Sequence, residues 1–334
     1  MSATAKLPNF FIVGAPKAGT SSLYAYLDQH PQVYMCPLKE PSYFASELRP
    51  QNFSAQMRPR VARELRALEE YLRGDMREKR FGGLVSDWQD YLKLYGNVAE
   101  ESAIGEATAS YLWSASAARN IAARIPHARI IMNLRNPIDR AFSQYLHMVT
   151  AGVTRRSFRQ QIEASLHCRE RLLGADWPLL EYGQYYEQVK RYFSEFPRAQ
   201  VHISFYEDLE RSPPRLLAQL CAFLGVDPGF APDVSRRHQQ PLIPRLNGAA
   251  YYLKKWGGWP YVRRLAPVPL GPRLRSLLVR SRSSLVVQPR ERALLAEYYR
   301  DDVTRLAGLL DRDLSAWLEP GAALRAGVGA HSPN

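Results

Sequence analysis

The stretch Gly14-Ala15-Pro16-Lys17-Ala18-Gly19-Thr20-Ser21-Ser22 gathers an ammonium, three hydroxyls and two glycines. It lies between an apolar run at residues 10–13 and a segment carrying Leu23, Tyr24 and Leu27. Glycine and proline punctuate a turn, and the hydroxyls open a helix. A helix N-terminus that follows a strand presents unpaired N–H groups and the positive end of the helix dipole, so it holds anions. The chemistry on offer is the binding of a phosphate-like group. The stretch departs from the triphosphate loop G-x-x-x-x-G-K-[ST], where Lys directly follows the second Gly; here Lys17 precedes Gly19 by two residues. The plain alternative is a strand–turn–helix junction with an incidental lysine.

Other residues of chemical interest stand where strands end. Lys39-Glu40 lies between Pro37 and Pro41, in what reads as a rigid polar turn close to the anion loop. It is either a surface turn or a catalytic carboxylate with a charge partner. Glu106 follows Gly105 where a strand runs into a polar loop. Arg135-Asn136-Pro137 caps the end of a buried-strand candidate at residues 130–134, and Pro137 suits the start of the next helix, which carries Ser143. In open α/β sheets the carboxyl ends of the strands form the ligand crevice, which puts Arg135 and Lys17 on one edge. Tyr206-Glu207-Asp208-Leu209 leaves the end of a third strand at residues 201–205. His30, His127 and His202 read as structural, and no set of side chains has metal-ligand spacing.

The elements that must position these residues alternate between strands and helices. A short strand is expected at residues 33–35, and helices at about 115–124, 182–196 and 216–224. Residues 58–95 read as helical, with Val61, Leu65, Leu68 and Leu72 on one stripe, a break at Gly82-Gly83 and a second helix carrying Trp88, Tyr91, Leu92 and Tyr95. Residues 291–317 form a long helical stretch, and about 321–334 a flexible tail. The 334 residues fit a single domain over 1–320, with a helical insertion at about 50–98.

The net charge of +13 is concentrated. No Asp or Glu occurs between Val234 and Arg290, a span that includes Arg236, Arg237, Arg245, Lys254, Lys255, Arg263 and Arg264. A partner or cofactor of negative charge should meet this span. Residues 247–287 interleave these cations with Tyr251, Tyr252, Trp256, Trp259 and Tyr261. They suit a lid over a pocket or a basic amphipathic helix making peripheral contact with an anionic membrane; no known nucleic-acid motif is present, so nucleic acid is not an expected partner. No run approaches the roughly 20 apolar residues of a membrane span. The first nine residues lack a signal-peptide core, so the chain reads as cytoplasmic. Cys36, Cys168 and Cys221 are too far apart for a disulfide framework.

Together the motifs resemble the sulfotransferases that use 3′-phosphoadenosine 5′-phosphosulfate (PAPS). Residues Pro16 to Leu23 resemble the family's 5′-phosphosulfate loop, and Arg135-Asn136-Pro137-Ile138-Asp139-Arg140-Ala141-Phe142-Ser143 resembles its 3′-phosphate motif. Lys39-Glu40-Pro41-Ser42-Tyr43-Phe44 is similar to the Lys-Glu segment of the heparan-sulfate-type and bacterial branch. The resemblance, running from about Phe10 to Trp317, implies a P-loop-NTPase-like three-layer α/β/α fold with a central parallel sheet. It implies PAPS as donor, PAP as product and no metal. Lys17, Ala18, Gly19, Thr20, Ser21 and Ser22 would hold the 5′ side and Arg135 with Ser143 the 3′-phosphate. Tyr206 would contact the adenine, and Arg245, among the C-terminal arginines, would close over the cofactor. Lys17 would follow charge onto the leaving phosphate, and Glu40 would be the general base, with Glu106 in reserve. The branch has a His two residues after the Glu and an Asp three further on; this chain has Ser42 and Ala45. The acceptor hydroxyl would belong to a carbohydrate, a glycolipid or a small molecule. The competing readings are a P-loop nucleotide kinase, against which the position of Lys17 argues, and a non-enzymatic membrane- or polyanion-binding module built on the basic span.

Overall fold

The computed structural model describes residues 6–55, 57–167, 178–235, 243–244, 279–280 and 286–319. In chain order the elements are β1 (Phe10–Gly14), α1 (Thr20–Leu27), β2 (Val33–Met35), β3 (Leu38–Lys39), α2 (Arg58–Arg73), β4 (Arg80–Phe81), α3 (Trp88–Lys93), β5 (Ala103–Ala107), α4 (Ala117–Arg124), β6 (Arg129–Leu134), α5 (Pro137–Thr150), α6 (Phe158–His167), α7 (Tyr185–Glu195), β7 (Val201–Phe205), α8 (Tyr206–Arg211), α9 (Pro213–Leu224), β8 (Ile243–Pro244), β9 (Val279–Arg280) and α10 (Pro289–Leu310). The chain falls into two compact units, Met1–Arg135 with Arg169–His238, and Asn136–Cys168 with Gln239–Asn334.

The first unit is built on a five-stranded sheet of order β2-β5-β1-β6-β7, parallel throughout. The apolar runs dictate this, because strands buried on both faces carry no polar alternation. Phe10 and Ile12 point to one face, where Leu23 and Leu27 of α1 and Leu216 and Leu220 of α9 join them in one core cluster. Each such side chain contributes about 1.5–3 kcal/mol when fully buried. Phe11 points to the other face and meets Phe44 edge-on at 5.6 Å. Tyr192 of α7 closes that side by donating to Tyr111 O at 3.0 Å. Gly105 sits opposite Phe10 in the register. A Cβ there would lie 2.1 Å from Phe10 Cζ, so only glycine lets the ring cross β5.

Two expectations need correction. The break expected at Gly82-Gly83 comes earlier, since α2 ends at Arg73 and extended Gly74 caps it, while the second helix expected around Trp88 is α3. The apolar stripe of α2 continues no further than Leu72, and Arg80–Phe81 instead pairs in parallel with Leu38–Lys39. For the same reason the Lys39-Glu40 turn begins in a strand. Helix α6 lies in a stretch for which no element was predicted.

In the second unit Asn136 caps α5, its Oδ1 accepting from Ile138 N at 2.9 Å while its Nδ2 donates to Trp317 O at 3.0 Å. Buried Arg292 of α10 pairs with Asp139 of α5 at 2.5 Å. Phe158 of α6 packs edge-on against Phe142 at 5.0 Å. The short strands β8 and β9 pair antiparallel.

Candidate active site

The anion loop is built by β1, the turn after it and the start of α1. Gly19 is the N-cap residue at φ +86°, with no side-chain hydrogen bond to the first turn. The leading N–H groups of a helix lack the usual intrahelical acceptor; Ser22 N donates to Gly19 O at 3.0 Å, and the N–H groups of Thr20 and Ser21 lead into the loop. Lys17 is also left-handed, at φ +68°. A Cβ at Gly19 would come within 2.6 Å of Leu209 Cδ2 and 3.1 Å of Tyr206 Cδ2. Glycine is therefore required twice, for its dihedral and for the approach of α8.

The loop is pinned from β6. Asn133 is buried in that strand. Its Nδ2 donates to Ala18 O, its backbone O accepts from Ala15 N at 2.8 Å, and its Oδ1 accepts from Ser204 Oγ at 2.8 Å. Sequence reasoning passed over Asn133; the signal was a lone amide inside an apolar strand, a placement that demands polar partners. Arg135, the next residue but one, reaches the same loop. Its Nη1 donates to Lys17 O at 2.9 Å, and its guanidinium lies 4.2 Å from the centroid of the Tyr206 ring. Tyr185 steadies it by donating to Arg135 O at 2.9 Å. Lys17, Gly19, Arg135 and Tyr206 thus form one constellation at the carboxyl ends of β1, β6 and β7. Tyr206 also packs against the core cluster.

Glu40 follows β3 and is held to β5, its N–H donating to Ala107 O at 2.9 Å. Its Oε1 accepts from Lys39 Nζ at 3.0 Å; the lysine side chain is 5% exposed and the glutamate 27%. The Lys39 ammonium lies 4.6 Å from the centroid of the Phe81 ring. One carboxylate oxygen is therefore engaged, on a group that still reaches solvent. Glu106 is different: it is 0% exposed. Tyr91 donates to its Oε2 at 2.5 Å and Thr108 to its Oε1 at 2.6 Å. Burial pushes its carboxyl up to about 7, while the hydroxyls of Thr108, Tyr91 and Tyr111 pull the other way.

Thr20 and Ala18 are buried, and Ser21 and Ser22 are half-buried at the start of α1. Ser143 is buried on α5, in the second unit. Arg245 lies outside the described residues, as do Arg236, Arg237, nearly all of residues 247–287 and the tail beyond 319. His30 is structural, its Nε2 meeting Asp227 O at 3.0 Å, and His202 packs on Phe223; His127, by contrast, is exposed. Cys36 and Cys221 are free and buried. Among the described residues no helix is long and apolar enough to cross a membrane.

With this geometry in view, the comparisons are specific. The sequence profile of the sulfotransferase family matches residues 8–231, and the chain belongs to that family. PAPS dependence is standard in the family. The chain is 26% identical over 231 residues to the bifunctional heparan sulfate N-deacetylase/N-sulfotransferase 3 of Homo sapiens, covering 67% of this chain and 23% of that protein. It is 26% identical over 344 residues to carbohydrate sulfotransferase 15 of Mus musculus, covering 93% of this chain and 54% of the relative. The chain thus spans about a quarter of the first relative and about half of the second. Among solved structures, a sulfotransferase from Alicyclobacillus acidocaldarius superposes with a TM-score of 0.67 at 29% identity, covering 94% of this chain and 100% of the other. The parallel sheet with helices on its faces is the P-loop-NTPase-like α/β architecture expected.

Proposed function

We propose that this chain transfers the sulfuryl group of PAPS to an acceptor hydroxyl, with a carbohydrate as the leading acceptor class. The observation that carries the reading is the anion loop itself. A left-handed Gly19 opens α1 beside Lys17, and Arg135 is anchored to the Lys17 carbonyl. The donor set fits the cofactor, since helix N–H groups, two cations and the Thr20 and Ser21 hydroxyls suit two separate anionic groups. Bound PAPS would supply an activated sulfuryl group on a phosphate leaving group.

The residues divide the work as follows. The α1 N-terminus with Lys17, Thr20 and Ser21 holds the 5′ side, and Lys17 offsets charge as it develops there. Arg135 and, by the sequence motif, Ser143 hold the 3′-phosphate. Tyr206 offers its ring to the adenine while supporting Arg135. Glu40 takes the acceptor proton through Oε2, because Lys39 occupies Oε1. Glu106 is set aside as the base, because both of its oxygens already accept from buried hydroxyls.

The carbohydrate assignment draws on the relatives, which are named for carbohydrate and heparan sulfate sulfotransfer. The test is transfer of radiolabelled sulfate from PAPS onto desulfated heparin, chondroitin and p-nitrophenyl glycosides, with Glu40→Gln as control. Transfer by the wild type and loss of at least a hundredfold in Glu40→Gln are expected. Full activity in that variant would remove Glu40 from the role.

A further inference from the structure

Glu40 is carried by an unusual piece of backbone. Glu40 itself sits at φ +64° and Ser42 at φ +61°. Side-chain-bearing residues persist in the left-handed region only when their surroundings over-determine them. Some of that support is plain: Gly83 N donates to Glu40 O at 3.0 Å and Val85 N to Pro41 O at 2.9 Å. The rest converges on Glu106. Tyr111, whose hydroxyl pulls the Glu106 carboxyl down, accepts at that oxygen from Phe44 N at 3.1 Å. The hydroxyl of Tyr91 donates to Glu106, and its ring stacks on Tyr43 at 4.8 Å and meets Phe44 edge-on at 5.4 Å. Tyr95 donates to Tyr91 OH at 3.0 Å and so fixes that hydroxyl's own proton toward the carboxylate.

We infer that Glu106 is a positioning residue: its buried carboxylate orients Tyr91, and through that ring holds residues 40–44 in the conformation that presents Glu40. The ionised carboxylate is suited to this, because it accepts from several hydroxyls at once; protonated, one of its oxygens becomes a donor, so the test is made above pH 8. The role rests on the reading of Glu40 as the base, but the geometry it asserts can be measured without any acceptor.

The experiment is hydrogen exchange, followed by mass spectrometry, of the full chain and of Glu106→Gln. The amide places an NH2 where one carboxylate oxygen accepts, so a hydroxyl loses its partner. Exchange across residues 40–44 should rise about tenfold, the scale of a lost hydrogen bond to a charged group. Exchange in β1 and β6 should be unchanged, which separates positioning from general destabilisation. Wild-type exchange at 40–44, or a uniform rise across the sheet, overturns the inference. Should Glu106→Gln not fold, Tyr91→Phe decides by the same measure, since it keeps the ring that packs on Tyr43 and Phe44 and removes only the hydroxyl that donates to Glu106. In the transfer assay Glu106→Gln should lower kcat about tenfold with PAP affinity within twofold of wild type. A wild type that transfers no sulfate would defeat the functional reading, while the exchange result would still decide the role of Glu106.

Discussion

Replacing Gly19 by alanine tests the anion loop at its narrowest point. The residue sits at φ +86°, where a side chain costs about 1–2 kcal/mol. The new methyl would also lie 2.6 Å from Leu209 Cδ2 and 3.1 Å from Tyr206 Cδ2. Leu209 can yield by moving the end of its side chain, but Tyr206 carries the guanidinium of Arg135 at 4.2 Å and is less free. We expect a total loss of about 2–4 kcal/mol in stability, adding overpacking to the backbone term. We also expect PAP affinity to fall more than tenfold, because the loop and the Arg135–Tyr206 pair are displaced together. Thermal unfolding and titration calorimetry read the two effects. A double-mutant cycle with Leu209→Ala separates their causes: the contact with Leu209 disappears in the double variant and the backbone cost stays, so the two losses should sum to more than the double loss. A Gly19→Ala protein with wild-type stability and wild-type PAP affinity would refute the argument.

Two further outcomes follow from the site. Burial raises the folded carboxyl of Glu106 from 4.5 to about 7, so the folded chain binds this proton more tightly than the unfolded chain. The stability it contributes is full below about 4.5 and is lost as pH rises through 7. Lowering the pH from 8 to 6 should therefore add about 1 kcal/mol, or a few degrees in Tm, that Glu106→Gln does not show; equal pH responses in the two proteins would count against the burial argument. Arg135→Lys keeps the charge but loses the planar group that both reaches Lys17 O and lies over Tyr206. PAP affinity should drop about ten- to a hundredfold by calorimetry, and an unchanged affinity would show that only the charge matters.

The strands were legible where apolar residues dominate a short run, without interruption at residues 10–13 and around the lone Asn133 at 130–134; at the sheet edge Val201, Ile203 and Phe205 alternate with His202 and Ser204. The anion loop was legible because its glycines, proline and hydroxyls each have a local reason to be there. What could not be read came from pairings between distant residues. Strands β3 and β4 are two residues each, contain Lys39 and Arg80, and exist only because their backbones meet. Asn133 could be seen as polar in an apolar strand, but its target, the Ala18 carbonyl, is set by the sheet order. Glu106 was readable as a carboxyl at a strand end. Its partners come from α3 and from the turn after β5, so neither its burial nor its link to residues 43–44 has a signature in the sequence. For Glu40 the spacing alone favoured a surface turn, and the family resemblance carried the catalytic reading; its ion pair with Lys39 has no signature in the spacing.

On the proposed function, the loop from Gly14 to Ser22, with Arg135, binds a 3′,5′-bisphosphate nucleotide. Calorimetric titration of the full chain with PAP and with magnesium ATP tests this most directly, with Lys17→Ala alongside. PAP should bind, and ATP at least a hundredfold more weakly. Lys17→Ala should lower PAP affinity about tenfold or more, the worth of a charged hydrogen bond. ATP binding tighter than PAP, or PAP binding indifferent to Lys17, would contradict it.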